Sequence, residues 1–195
     1  ILFERNCETP DQVRALVRSF RHAVGREDAP VLIDQEGGRV VRLKPPHWRA
    51  APAARIFARL HERDPAAGCD AARLNARLVA GELADLGITV DCAPVLDLAV
   101  PDGHDIIGDR ALGATAQRVA ELGAAVCHGL LAGGVLPVIK HLPGHGRAGA
   151  DSHLELPVVE TPRTELAATD FRAFQALNRM PWGMTAHVLY RALDE

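Results

Sequence analysis

A lysine, three histidines and an aspartate crowd fourteen residues of this chain. Lys140-His141-Leu142-Pro143-Gly144-His145-Gly146 runs through Arg147-Ala148-Gly149-Ala150 to Asp151-Ser152-His153. Gly144, Gly146 and Gly149 give the stretch the freedom of a movable lid, the kind of loop on which functional side chains concentrate. Three readings fit it. His141, His145 and His153 offer imidazoles to a metal ion, although their spacing matches no compact zinc motif and falls on a loop rather than one helix face. A structural role, satisfying turn carbonyls, suits His145 best. In the third reading His153 is a general acid/base whose ring N–H is accepted by Asp151, two residues earlier, which holds the tautomer and raises the pKa. No Ser or Cys in a nucleophile-elbow context accompanies it.

These residues need a scaffold, and the pattern supplies one. Thr9 caps a helix with Pro10 at its first position, Gln12 three residues after the cap, Val13, Leu16, Val17, Phe20 and Val24 on one face, and Gly25 as its end. Pro30 to Asp34 reads as a buried strand, too short and too β-branched for a helix. The Pro- and Ala-rich stretch 45–63 is an excursion with a short helix. Asp64-Pro65 opens a long helix carrying Leu74, Leu78, Leu83 and Leu86, stopped at Gly87. Ile88 to Leu98 is a second strand, 115–131 a helix, and Val135 to Ile139 a third strand. Thr161-Pro162 caps a last helix with Ala167, Phe171, Phe174 and Leu177, and Gly183 to Val188 is a fourth strand.

Such regular alternation with continuously apolar strands means a parallel sheet covered by helices. An open doubly wound sheet and a closed (β/α)₈ barrel compete, and the absence of a GxGxxG turn after every strand leans toward the barrel. Polar residues cluster just past the strand ends: Asp34-Gln35-Glu36, Asp97, Lys140-His141 and Thr185-Ala186-His187. In a barrel that edge holds the active site.

Five segments in order, Asp34-Gln35-Glu36-Gly37-Gly38-Arg39-Val40-Val41-Arg42, Ala93-Pro94-Val95-Leu96-Asp97, Ile107-Gly108-Asp109-Arg110, the 140–146 run with Asp151-Ser152-His153, and Thr185-Ala186-His187-Val188, resemble glycoside hydrolase family 3. They are most similar to its bacterial β-N-acetylglucosaminidase (β-N-acetylhexosaminidase) branch, and they cover nearly the whole chain. The resemblance implies an α/β (β/α)₈ TIM barrel that removes terminal β-linked N-acetylglucosamine from muropeptides in peptidoglycan recycling, in the cytoplasm, with retention and with no metal or cofactor. It implies His153 as general acid/base with Asp151 as its partner, and Asp34, Arg42, Arg110, Lys140 and His141 as sugar contacts. The bland alternatives are a strand-end cap for Asp34 and ion pairing for Arg42 and Arg110. An unperturbed histidine pKa of about 6.5 suits acid/base work near neutral pH without the burial a glutamate needs. A neutral imidazole also does not repel phosphate, so a phosphorylase is the alternative chemistry, with a β-glucosidase of the same family beside it.

Composition agrees with a small-molecule carbohydrate substrate. The 195 residues carry 22 basic and 25 acidic side chains for a net charge of -3, which gives no field to recruit nucleic acid or an anionic membrane. Lys44 and Lys140 are the only lysines, so a lysine at a special position stands out. No apolar run approaches the roughly 20 residues of a membrane helix. Four widely spaced cysteines without a CxxC pair read as free thiols in a reducing compartment. A complete barrel takes about 250 residues. The expectation is therefore a partial N-terminal catalytic barrel domain over 1–195, lacking its first strand and last two βα units. A retaining mechanism needs a carboxylate nucleophile, which the resemblance puts in an Asp-Asp strand end after Glu195. Asp91, Asp97 and Asp109 are weak substitutes for it. A catalytically inactive fragment with at most sugar binding is the reading from another class.

Overall fold

Residues 1–101, 103–150 and 156–193 are described by the structure, a computed structural model. Helix α1 (Pro10–Val24) starts where Thr9 accepts a hydrogen bond from the Gln12 N–H and ends at Gly25 in the left-handed region. It buries Val13 and Val17, while Phe20 and Val24 stay exposed. The chain then enters β1 (Leu32–Ile33), makes the excursion carrying α2 (Ala54–Arg63), and turns at Asp64 into α3 (Pro65–Asp85). Asp64 caps α3 by accepting the Ala67 N–H, with Pro65 at the first helical position. Next come β2 (Val90–Asp91), α4 (Ala116–Ala132), β3 (Leu136–Leu142) and β4 (Val158–Val159). The described chain closes with α5 (Arg163–Ala168), α6 (Asp170–Ala176), β5 (Trp182–Thr185) and β6 (Leu189–Tyr190).

The main sheet has the order β1-β2-β3-β5 and every pair is parallel. Leu2 adds a fifth row through a parallel bridge to Ile33, donating its N–H to the Leu32 carbonyl at 2.7 Å. This is the α/β architecture that the alternation implies, and among the described residues the sheet does not close on itself. The second strand is shorter than the run Ile88 to Leu98 suggests. Pro94 has no N–H to give the ladder, and pairing resumes only where Val95 bridges Lys140.

Two predicted features differ for clear reasons. Leu74 and Leu78 lie on the exposed side of α3, which instead buries Gly68, Ala72, Ala76, Val79, Ala80 and Leu83. Small residues win there because α3 and α4 approach closely: a Cβ on Gly129 would collide with the Arg73 carbonyl, and one on Gly133 with Ala80. The last helix is broken in two at Thr169, whose backbone leaves the helical region (φ -124, ψ -87) and whose hydroxyl lies 2.8 Å from an Asp170 carboxylate oxygen. The separate parallel pair β4–β6 was not anticipated. Side chains of β1, β2 and β3 and their helices form the core, including Ile33, Val79, Leu83 and Leu130 in one cluster and Leu96, Leu122, Ile139 and Phe174 in another.

Candidate active site

Asp34 follows β1 directly, and Lys140 lies in β3, 106 positions later. Lys140 Nζ donates to Asp34 Oδ1 at 2.9 Å, and Arg42 donates to Asp34 Oδ2 at 3.0 Å. On the other side Lys140 meets Glu36 Oε1 at 2.5 Å, and Arg110 grips both Glu36 oxygens at 2.8 Å each. Three cations and two anions therefore alternate in one chain of contacts, Arg42–Asp34–Lys140–Glu36–Arg110. The Lys140 side chain is only 2% exposed and that of Glu36 7%, whereas Asp34 keeps 15%. Burial pushes the Asp34 and Glu36 carboxyls up, but their cations outweigh it and hold both below the usual carboxylate range. Burial likewise pushes the Lys140 ammonium down, and Glu36 and Asp34 overcome it so that its pKa ends above the ordinary value.

Gln35 holds this arrangement in shape. Its side-chain carbonyl accepts the N–H groups of Arg42 and Leu43 at 2.9 and 3.0 Å, and its amide donates to the Leu43 carbonyl at 3.0 Å. The turn that carries Arg42 is thus tied back to the end of β1. Arg39 clasps the same turn to the following strand end by pairing with Asp109 at 3.0 Å and Asp105 at 3.2 Å. Behind Gln35, Asp91 accepts its backbone N–H at 3.0 Å, and complete burial pushes the Asp91 carboxyl up to about 7.

The neighbouring residue His141 belongs to a second network. Its Nδ1 lies 2.6 Å from Asp97 Oδ2, and the other Asp97 oxygen accepts the backbone N–H groups of His141 at 3.3 Å and His145 at 2.6 Å. His145 is buried with its ring edge-on to His141 at 5.7 Å. Burial comes first among the influences that lower its pKa. The loop beyond is pinned at its stem. Arg147 donates to Asp170 at 2.7 Å and to Thr169 at 3.2 Å and pairs with Glu165 at 2.8 Å, while the Tyr190 hydroxyl donates to the Gly144 carbonyl. Gly146 passes so close to Leu98 that any Cβ would strike the Leu98 carbonyl. The predicted pair Asp151 and His153 lies outside the described residues. Among the described residues no group of three or more His, Cys, Asp or Glu side chains is arranged to hold a metal ion.

Five residues singled out by resemblance, Asp34, Lys140 and His141 at the strand ends with Arg42 and Arg110 in the connections that follow, are therefore brought together at one edge of a parallel sheet. The sequence matches the Glycosyl hydrolase family 3 N terminal domain over residues 1–195. The chain belongs to glycosyl hydrolase family 3. It is 40% identical over 196 residues to a beta-hexosaminidase of Alkalilimnicola ehrlichii, an alignment that covers 100% of this chain and 56% of that protein. It superposes with a TM-score of 0.92 and 34% identity on NagZ from Neisseria gonorrhoeae in complex with N-trifluoroacetyl-D-glucosamine, covering 99% of this chain and 57% of that one. A family 3 beta-N-acetylglucosaminidase from Paenibacillus gives a TM-score of 0.88 at 35% identity over 99% of this chain and 36% of its own. The family 3 chain thus spans about half the length of the curated relatives it matches.

Within the family 3 scaffold Glu36 was given no role in the sequence and Asp97 only that of a weak substitute nucleophile, although both stand in the polar strand-end clusters. The ion-pairing alternative for Arg42 and Arg110 is realised in part, since each pairs with a carboxylate; those same pairs set the guanidinium groups at the cluster's two ends. None of the three substitute nucleophiles is free to attack. Asp91 and Asp97 are fully buried behind their hydrogen bonds, and Asp109 is paired with Arg39. No helix among the described residues is long and apolar enough to cross a membrane, and all four cysteines are free.

Proposed function

We propose that the protein hydrolyses terminal non-reducing β-linked N-acetylglucosamine, with muropeptide fragments of peptidoglycan recycling as the natural substrates and the cytoplasm as the place of action. The observation that carries this reading is the alternating charge chain from Arg42 to Arg110 at the strand ends of a family 3 sheet. A neutral sugar is best recognised by ionised groups that each already have an oppositely charged neighbour and still have hydrogen-bonding capacity, since a carboxylate offers about four lone-pair sites and Asp34 spends two of them on Lys140 and Arg42. In this reading Asp34, Arg42, Arg110, Lys140 and His141 contact the sugar. His153, oriented by Asp151, protonates the leaving oxygen and later deprotonates water. The carboxylate nucleophile of the retaining reaction comes from outside these 195 residues.

The relatives named beta-hexosaminidase and beta-N-acetylglucosaminidase support the sugar preference. In the full-length protein His153→Ala should lower turnover of a chromogenic β-N-acetylglucosaminide by about 10²–10⁴-fold, the usual share of general acid–base catalysis. Turnover equal to wild type would remove His153 from the mechanism. Release of sugar 1-phosphate when phosphate is supplied would replace hydrolysis by phosphorolysis.

A further inference from the structure

Asp97 has no part in the sugar contacts assigned above, yet it is more deeply buried than Asp34 or Glu36. It is 0% exposed and accepts three hydrogen bonds, one from the His141 ring and two from the backbone N–H groups of His141 and His145. Burial pushes its carboxyl up, but the His141 and His145 donors more than offset this and keep it below the ordinary carboxylate value, so it is ionised at neutral pH. An ionised carboxylate has no proton to give, so at 2.6 Å His141 Nδ1 must be the donor. Nδ1 therefore carries a proton, and Nε2 is the ring nitrogen that can present a lone pair to a ligand. The His141 side chain keeps 18% of its surface exposed, and Nε2 is the ring nitrogen that Asp97 does not use.

We propose that Asp97 is a positioning residue that fixes His141 as the Nδ1–H tautomer, so that Nε2 accepts a hydrogen bond from a hydroxyl of the bound sugar. The same carboxylate ties the ring to the stem of the catalytic loop through the His145 N–H, so one buried group sets both the recognition imidazole and the root of the segment leading to Asp151 and His153. The hydroxyl contact rests on the glycosidase reading; the tautomer does not. The wider pattern is familiar chemistry, since the partner of one ring nitrogen decides what the other presents.

The test separates these two layers. In the full-length protein at pH 7, ¹⁵N NMR of the histidine side chains, with His141 identified by its loss in His141→Gln, should show a protonated Nδ1 and an unprotonated Nε2. A proton on Nε2, or on both nitrogens, overturns the proposal whether or not the protein turns over any sugar. Asp97→Asn keeps an acceptor for the two backbone N–H groups but turns an NH₂ toward the ring. It should move the proton to Nε2 and raise KM for a chromogenic N-acetylglucosaminide about tenfold with a smaller change in kcat, as expected when one hydrogen bond is mispaired. In a His141→Gln background the same Asp97→Asn change should leave KM unaltered, because the two residues act as one unit. Additive effects, or an Asn variant that keeps the Nδ1–H tautomer and the wild-type KM, also overturn it. If Asp97→Asn does not fold, the wild-type spectrum alone decides. A protein with the predicted tautomer but no turnover would refute the glycosidase reading and leave the Asp97–His141 assignment standing.

Discussion

Glu36 is the anion on which two buried cations depend, and replacing it by Gln isolates what that charge does. Arg110 holds both Glu36 oxygens at 2.8 Å and Lys140 meets one of them, with the lysine side chain 2% and the arginine side chain 10% exposed. In Glu36→Gln one amide oxygen still accepts a hydrogen bond, so shape and a single contact survive. The charge balance does not: Arg42, Lys140 and Arg110 are left with Asp34 as the single anion of the cluster. A unit pair at this separation is worth about 6 kcal/mol at an effective dielectric of about 20, and Glu36's own desolvation cancels several kcal/mol of the total. The net expectation is a loss of about 3–5 kcal/mol, the range seen when one partner of a buried pair is removed. At about 2–4 °C per kcal/mol for a chain of this size, the melting temperature should fall by about 6–20 °C. Urea and thermal unfolding at pH 7 measure both quantities. A loss of less than about 1 kcal/mol, typical of a solvent-exposed pair, would refute the reasoning that this cluster is a buried, interdependent charge system.

Asp91 should set a slope of stability with pH in the opposite direction from the paired carboxylates. Its carboxyl rises from 3.8 to about 7 on folding, so the folded state keeps a proton that the unfolded state releases, and stability falls as pH climbs through that window. Asp91→Asn should therefore gain on wild type between pH 5 and 7.5, by at most about 1.4 kcal/mol per pH unit, and parallel urea-unfolding curves at the two pH values would sink the assignment. Arg147→Ala leaves the buried Asp170 carboxylate without its 2.7 Å partner and frees the loop stem, so turnover should drop more than tenfold, about 1.4 kcal/mol or more, while proteolytic cleavage within 143–150 speeds up. Cleavage and turnover at wild-type rates would contradict it. Leu78→Lys should change stability by no more than about 0.5 kcal/mol because that side chain is exposed, whereas Ala80→Leu, facing Gly133, should cost about 1–3 kcal/mol; the reverse order would place the α3 packing face elsewhere.

Two helix starts were legible because capping is local: Thr9 with Pro10 and Asp64 with Pro65 each accept the backbone N–H that their position in the sequence calls for. The expected cap at Thr161-Pro162 is not formed, since α5 starts after Pro162 with no side-chain cap, and Thr115, which the sequence places inside a helix over 115–131, instead caps α4 from just outside it. What failed was information that resides in the partner element. Leucine spacing put Leu74 and Leu78 on the buried face of α3, but the close approach of Gly129 and Gly133 from α4 selects alanines there. The break at Thr169 depends on contacts with Arg147 and Asp170, and Arg147 lies 22 positions away. At the site, the strand-end clusters and the scarce lysine pointed to the edge where the Arg42–Arg110 charge chain forms, and resemblance supplied Arg42 and Arg110. The contacts of Gln35, Glu36 and Asp97 were hidden because each is made elsewhere in the chain: Gln35 to the backbone of Arg42 and Leu43, Glu36 to the Lys140 and Arg110 side chains, and Asp97 to the His141 ring and the His141 and His145 backbone. The available signal was their type: an amide and two carboxylates directly at buried strand ends, where a polar group must find a partner.

Two carboxylate-centred networks meet at the single dipeptide Lys140-His141, and under the proposed function their difference accounts for how the site would hold a molecule without charge. A neutral sugar cannot compensate a buried ion, so each ion needs opposite neighbours before it arrives; the chain from Arg42 to Arg110 supplies them with alternating signs at 2.5–3.0 Å. Sugar hydroxyls then need only the lone pairs and N–H groups left over, and binding entails little reorganisation of the ions. On the other flank Asp97 keeps its charge wholly out of contact with solvent and acts through the His141 ring. Its backbone bond to His145 makes the geometry of the recognition side chain and of the catalytic loop's stem a single mechanical quantity. A substitution at Asp97 should for that reason disturb recognition through the ring and loop placement through the backbone, whereas one at His141 should disturb recognition alone.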